Sequence, residues 1–317
     1  MRSLKLRWLM VIVLAFMALP VAAAQFINIL TGGTSGIYYP LGIGLSNIYS
    51  KALPNAKVSV QSTKASVENL NLLEAGRGEA ALTLGDALSL AWAGDKEAGY
   101  SKPLRNLRGI SAMHANYVQI VAHKDSGIHT LADLKGKRVS VGAAKSGTEL
   151  NARAVFAAAG LKYSDFAKVE YLPYKQSADL LQNRQIDATL QSAGLGNPAL
   201  RDLANSVDIE FIPIPPDVIK KIGDKAYGNG VIPANTYKGQ TADVPVAKIE
   251  NYLVTRKGVS TETVYLMTKA MYEHLDQLVA AHAAAKSIKL DNAINGMPIP
   301  LHPGAEKYYR EVGLIKK

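Results

Sequence analysis

Residues 26–84 read FINILTGGTSGIYYPLGIGLSNIYSKALPNAKVSVQSTKASVENLNLLEAGRGEAALTL. Short apolar runs alternate here with stretches of helical periodicity. Phe26 to Leu30 reads as a strand, and Ile37 to Leu53 as a helix stopped at Pro54. Lys57 to Gln61 is a second strand, Ser66 to Ala75 a helix closed by Gly76, and Glu79 to Leu84 a third strand. Such alternation predicts an α/β fold, with helices packed on a mostly parallel sheet through right-handed crossovers.

The pattern recurs further along. LLEAGRGEAAL at residues 72–82 resembles LLQNRQIDATL at residues 180–190. Each is a helix end, a polar turn and a buried strand, with an acid just before the strand. The separation is far too long for a solenoid. Either two local units coincide by chance or the chain builds two α/β lobes of similar plan. Leu107 to Val121 reads as a long strand suited to crossing between lobes. Lys135-Gly136-Lys137-Arg138 and then Val139 to Gly142 open the second lobe, and Phe211 to Pro216 is a proline-stiffened exit from it. Val246 to Thr255 is a strand, Thr261 to Ala285 one long helix, and Ala305 to Gly313 a last helix after the His302-Pro303-Gly304 turn. The expected division is residues 25–114 with 229–317 as lobe 1, and 115–228 as lobe 2. A cleft between two lobes is where a small ligand binds.

The first 24 residues carry Arg2, Lys5 and Arg7, then an apolar run from Trp8 to Leu19, Pro20 and the small Ala22-Ala23-Ala24. That pattern predicts a cleaved export signal, with Gln25 first in the mature chain. The run falls short of the ~20 residues that span a bilayer, and no second run of spanning length follows. The chain has no Cys, so thiol nucleophiles, Cys-ligated metals, disulfides and a lipid-modified Cys are all excluded. The formal net charge is +10, and the excess is scattered rather than interleaved with aromatics, which argues against a nucleic-acid surface. A mild positive field either gathers an anion or only aids solubility.

Five polar segments follow strand ends, where ligands gather in open α/β sheets. The first is Thr31-Gly32-Gly33-Thr34-Ser35-Gly36-Ile37-Tyr38, which links a strand to a helix. Free backbone N–H groups and the helix dipole make such a place an anion site, although a tight turn with a helix cap has the same composition. Its glycine spacing matches neither a dinucleotide fingerprint nor a phosphate loop. The second is Ser62-Thr63-Lys64-Ala65-Ser66, with Ser66 as a good N-cap. The third ends in Asp86, which is either another N-cap or a partner for a ligand ammonium. The fourth, Lys145-Ser146-Gly147-Thr148-Glu149, is the lobe-2 counterpart of the first. The fifth is Gln191-Ser192, with Tyr174 and Gln176 past a neighbouring strand end.

Residues 31–40 also resemble the opening motif of the TAXI family, the solute receptors of one class of TRAP transporters. So do Ser66 to Leu70, Lys145 to Thr148, Ile232 to Tyr237 with Gly239-Gln240, and His302 to Arg310, in the family's order. Lys64 stands where the family commonly has Gly. The resemblance implies a two-lobed periplasmic binding protein fold of type II-like build, acting in the periplasm as a monomer without cofactor or metal. It implies capture of a small anionic solute, glutamate or a dicarboxylate such as 2-oxoglutarate, and delivery to a TRAP-type permease driven by an ion gradient. The ligand-binding residues it implies are Gly33, Thr34, Ser35, Tyr38, Thr63, Ser66 and Asp86 from lobe 1. Ser146, Gly147, Thr148 and Gln191 close from lobe 2.

Two rivals stand beside this reading. An exported enzyme would need catalytic groups. None of the six His has H-E-x-x-H spacing, and no G-x-S-x-G elbow occurs, so no catalytic residue is expected. A periplasmic sensor would use the same lobes and ligand but report to a signalling receptor.

Overall fold

The computed structural model describes residues 25–316. The export signal read in residues 1–24 lies outside them. In chain order the elements are β1 (Gln25–Leu30), α1 (Tyr38–Ala52), β2 (Ala56–Gln61), α2 (Ser66–Glu74), β3 (Ala80–Leu84) and α3 (Gly85–Ala93). The long β4 (Leu107–His123) follows, then β5 (Arg138–Ser140), α4 (Gly147–Ala158), β6 (Lys168–Glu170), α5 (Tyr174–Gln182), β7 (Ala188–Ala193) and α6 (Pro198–Ser206). The chain finishes with β8 (Ile209–Ile212), α7 (Pro216–Ile222), β9 (Tyr227–Ile232), β10 (Val244–Arg256), α8 (Thr261–Glu273), α9 (Leu275–Ala281) and α10 (Pro303–Glu311).

The strands lie in the order β2-β1-β3-β10-β4-β7-β5-β6, with β8 added along β4 and β9 along β10. The two flanks mirror each other. β1 pairs in parallel with β2 and β3, as β5 does with β6 and β7. The repeat read in the sequence is therefore physical: α2–turn–β3 and α5–turn–β7 occupy equivalent places in the two lobes. The antiparallel pair β4 and β10 joins them. Residues 251–254 of β10 pair with β3, while residues 244–249 pair with β9. β4 pairs with β10 up to Tyr117 and with β7 from there to Ala122. Both strands thus run from one lobe into the other.

Burial follows this plan. β3 and β7 are buried at every residue, as expected of strands covered on both faces. One apolar cluster runs from Leu70 and Leu84 through Ile120 to Phe156 and Leu190. A second lies beneath α1, α8 and α10, around Leu41, Met267 and Tyr309. A third gathers Leu181, Leu200 and Phe211 with Tyr237 and Val246, so the segment following β9 packs on the second lobe's side.

Two expectations are corrected. The helix expected over Thr261–Ala285 breaks at His274, whose φ −132° and ψ 37° leave the helical region. The change of direction brings Leu278 over Gly44 of α1, where an added Cβ would stand 2.9 Å from Leu278 Cδ2. The proline-stiffened stretch at residues 211–216 leads into α7, which packs on α4, rather than straight back to the first lobe. Pro216 starts α7, where a fixed φ suits the first helical turn.

Candidate functional site

The ends of six strands, three parallel ones from each lobe, meet at one cavity of about 200 Å3. The chain leaving β1 brings Gly33, Ser35 and Tyr38, and that leaving β2 brings Thr63, Lys64 and Ser66. β3 ends in Leu84. Ala143, Ser146, Gly147 and Thr148 follow β5, Pro173 and Tyr174 follow β6, and β7 ends in Ser192 and Ala193. Asn116 comes from the middle of β4. The lining is thus drawn from both lobes and from a strand that crosses between them.

Four helices begin at this wall. Tyr38, Ser66, Gly147 and Tyr174 are the first residues of α1, α2, α4 and α5, and all four line the cavity. The first N–H groups of a helix have no partner inside it, and the dipole leaves them partly positive. Lys64 is the one charged side chain in the lining among the described residues, and no Asp or Glu joins it. Four positive helix ends, one ammonium and no carboxylate make a field for an anion.

Many of the hydroxyls hold the walls. Thr63 Oγ1 lies 2.9 Å from the Thr31 carbonyl and 2.6 Å from Asn69 Oδ1. Ser66 is not the N-cap expected: Ala65 holds that position, and Ser66 Oγ accepts from the Leu84 N–H at 3.1 Å. Ser146 does cap α4, accepting from the Glu149 N–H at 3.1 Å. Thr148 Oγ1 lies 2.6 Å from the Tyr174 hydroxyl, which donates to the Ser192 carbonyl. Under the cavity runs a polar relay. Tyr38 donates to Asn251 Oδ1, Asn251 Nδ2 to Asn116 Oδ1 at 2.7 Å, and Asn116 Nδ2 to the Ser192 carbonyl at 2.8 Å. It ties α1 to β7 across both crossing strands. Burial holds the Tyr38 phenol well above its ordinary pKa, so it stays a donor. Ser192 Oγ, in contrast, is buried without a partner.

The lobes touch at the cavity's edge. The Glu68 N–H donates to the Lys145 carbonyl at 3.2 Å. Gly147 lies so close to α2 that a Cβ on it would stand 2.6 Å from Ser66 Oγ.

Of the residues singled out in the sequence, Gly33, Ser35, Tyr38, Thr63, Ser66, Ser146, Gly147 and Thr148 line one cavity. Thr34, Asp86 and Gln191 are not among the lining residues. Thr34 is exposed in the turn after β1. Gln191 neighbours Ser192 on β7, and alternation turns it to the other face. There it donates to the Tyr174 carbonyl at 3.2 Å and accepts from Asn197 Nδ2 at 2.8 Å. Asp86 is not an N-cap, since Leu84 precedes α3. Its carboxylate faces the other lobe, where Asn151 Nδ2 and the Tyr227 hydroxyl each donate to Oδ2 at 2.7 Å. Burial pushes its pKa up to about 6, against the hydrogen bond from Tyr227.

Asn116 escaped sequence reading because it sits mid-strand, with no glycine or strand end to mark it. The available signal was an amide inside a buried strand, where Asn is disfavoured and must find partners. Nearby His114 is buried with neither ring nitrogen bonded. Burial, aided by His282, lowers its pKa to about 3, so it is neutral at ordinary pH.

Two solved structures share the architecture. PhnD1 from Prochlorococcus marinus, in complex with methylphosphonate, is 12% identical with a TM-score of 0.59, over 92% of this chain and 100% of that one. A binding protein component of an ABC phosphonate transporter from Pseudomonas aeruginosa is 14% identical with a TM-score of 0.55, over 82% and 79%. At such identities the likeness speaks for the fold, the two-lobed periplasmic binding protein architecture expected from the sequence. The sequence itself goes further: residues 29–313, nearly the whole described chain, match the NMT1-like family, and the protein belongs to it.

Proposed function

We propose that this protein is an exported solute receptor that captures a small organic anion between its lobes, leaves it chemically unchanged, and hands it to a membrane permease. One observation carries the reading: four helix N-termini and six strand ends from two lobes surround one small cavity with no carboxylate in its lining. The solute has the size of glutamate or 2-oxoglutarate. Ser35, Ser192, Lys64 and the free N–H groups of α1, α2, α4 and α5 are its donors. No His, Asp or Glu lines the cavity among the described residues, so no lining serine has the His–carboxylate pair of a hydrolase triad beside it, which favours capture over turnover. The lobes divide near residues 114–117 in β4 and 249–251 in β10, with residues 1–24 as the export signal and the periplasm as the working compartment.

The motif order shared with TAXI receptors favours a TRAP-type permease driven by an ion gradient. The likeness to a component of an ABC phosphonate transporter favours a second reading, an ATP-driven permease and a phosphonate head group. A thermal-shift panel of carboxylates, sulfonates and phosphonates tests the receptor and ranks the head groups. A ligand that binds only the folded state adds ~2.7 kcal/mol of stability at 100 times its Kd. Uptake by a reconstituted permease under an ion gradient without ATP separates the two transport readings. No shift with any small anion would sink the proposal.

A further inference from the structure

Resting on the receptor reading, the hydrogen-bond inventory of the cavity restricts the solute further. We infer that the ligand is an organic anion without an amine, and that the Ser192 hydroxyl is one of its contacts. A bound ammonium is best met by a carboxylate, yet no Asp or Glu lines the cavity among the described residues, and several of the lining acceptors are already taken. Asn116 Oδ1 receives Asn251 Nδ2 at 2.7 Å. The Gly33, Ala143 and Pro173 carbonyls receive the N–H groups of Gly36, Ser146 and Ser177. The Gly32 carbonyl receives Ser62 Oγ at 2.9 Å, and the Tyr174 carbonyl receives Gln191 Nε2 at 3.2 Å. The Ser192 carbonyl already accepts from both Asn116 and Tyr174.

The carboxylate that the sequence offers for an ammonium, Asp86, is bonded to Asn151 and Tyr227 and is absent from the lining. The charged and partly charged groups facing a ligand are donors, the helix N–H groups and the Lys64 ammonium, and two serine hydroxyls can donate beside them. Ser192 points to a ligand independently of the helix ends. It is 3% exposed, it lines the cavity, and its Oγ has no partner. A buried hydroxyl left unbonded is costly, and an anionic oxygen would satisfy it. Between the donors the wall is carbon, from Ile37, Ala65, Leu84, Ala143, Pro173 and Ala193. That surface suits the carbon body of an oxo or hydroxy acid. An ammonium placed there would be desolvated without a partner.

Isothermal calorimetry on matched pairs tests this: 2-oxoglutarate against L-glutamate, 4-methyl-2-oxopentanoate against L-leucine, and pyruvate against L-alanine. An amine-free panel of carboxylates, sulfonates and phosphonates runs beside them. Wherever a pair binds, the oxo acid should bind at least 100-fold more tightly. Ser192→Ala should weaken binding roughly 10-fold, the loss of one hydrogen bond to a charged group, while the melting temperature of the free protein does not fall, since the hydroxyl removed has no partner there. An amino acid that binds as tightly as its oxo acid overturns the inference and leaves the receptor reading intact. Unchanged affinity in Ser192→Ala overturns the assigned contact. Failure of every anion in both panels overturns the receptor reading, and this inference with it.

Discussion

Ala65 holds φ 71° and ψ −149° at the start of α2, a conformation that in practice belongs to glycine and costs about 1–3 kcal/mol in other residues. The strain lies in the cavity wall, between the hydroxyls of Thr63 and Ser66. Thr63 Oγ1 accepts from the Ala65 N–H at 3.0 Å, which helps to hold the turn. Replacing Ala65 with Gly relieves the strain but lets the unfolded chain wander more, a loss of about 0.4–1 kcal/mol. The balance favours the folded state. Ala65→Gly should raise the urea midpoint by the equivalent of about 1 kcal/mol with an unchanged m-value. A lower midpoint would show that the surrounding bonds already absorb the strain.

At the scale of elements, most of the lattice was legible. β1, α1, β2, α2 and β3 fall within one or two residues of their sequence reading, because each carries its own apolar period and the two helices stop close to Pro54 and Gly76. The repeat at residues 72–82 and 180–190 pointed to the two equivalent flanks. What local sequence did not carry was contact between distant elements. Asp86 looks like a helix cap from its neighbours alone, yet its partners Asn151 and Tyr227 stand 65 and 141 residues away. Asn116 has no local signal because its function in the relay depends on Asn251 of another strand. The break at His274 likewise answers to packing on α1 rather than to any helix breaker.

The close approach of α4 to α2 yields a prediction of the same kind. A methyl group on Gly147 would stand 2.6 Å from Ser66 Oγ and 2.7 Å from Leu84 Cδ1, so the two lobes could no longer meet there. Helix propensity favours Ala over Gly by about 1 kcal/mol, so the fold itself should survive. Gly147→Ala should therefore weaken solute binding about 10-fold or more while urea unfolding barely moves. Equal affinity in the variant would show that binding does not require this contact. α10 offers a purely structural counterpart. A Cβ on Gly304 would lie 2.3 Å from the Thr261 carbonyl and 2.6 Å from the Tyr265 nitrogen on α8, backbone atoms that cannot swing aside. Gly304→Ala should cost about 2 kcal/mol in urea unfolding. An unchanged midpoint would mean that α10 can shift on α8.

For the molecule as a whole, the joint between the lobes is also a proton-binding site. Asp86 of α3 meets Asn151 of α4 and Tyr227 of β9, and Asp224 adds repulsion. Asp86 is buried, and its side-chain partners Asn151 and Tyr227 are both neutral. Its Oδ1 and the Oδ1 of Asn151 both lack a bond. A proton on Asp86 would let the carboxyl donate as well as accept. Burial raises its pKa from 3.8 to about 6. Between those values the folded protein keeps a proton that the unfolded chain has released, so rising pH favours unfolding. Stability from this group is fullest below about pH 4, falls towards pH 6 and is level above it. The loss is about 2–3 kcal/mol at 1.36 kcal/mol per unit. Asp86→Asn keeps the shape and removes the titration. Urea midpoints of the two proteins from pH 4 to pH 8 isolate the contribution, since every other titrating group is shared. The wild-type curve should fall relative to the variant's between pH 4 and pH 6 and run parallel above. Parallel curves throughout would mean that Asp86 is charged in the folded state and that its burial is compensated at the joint in some other way.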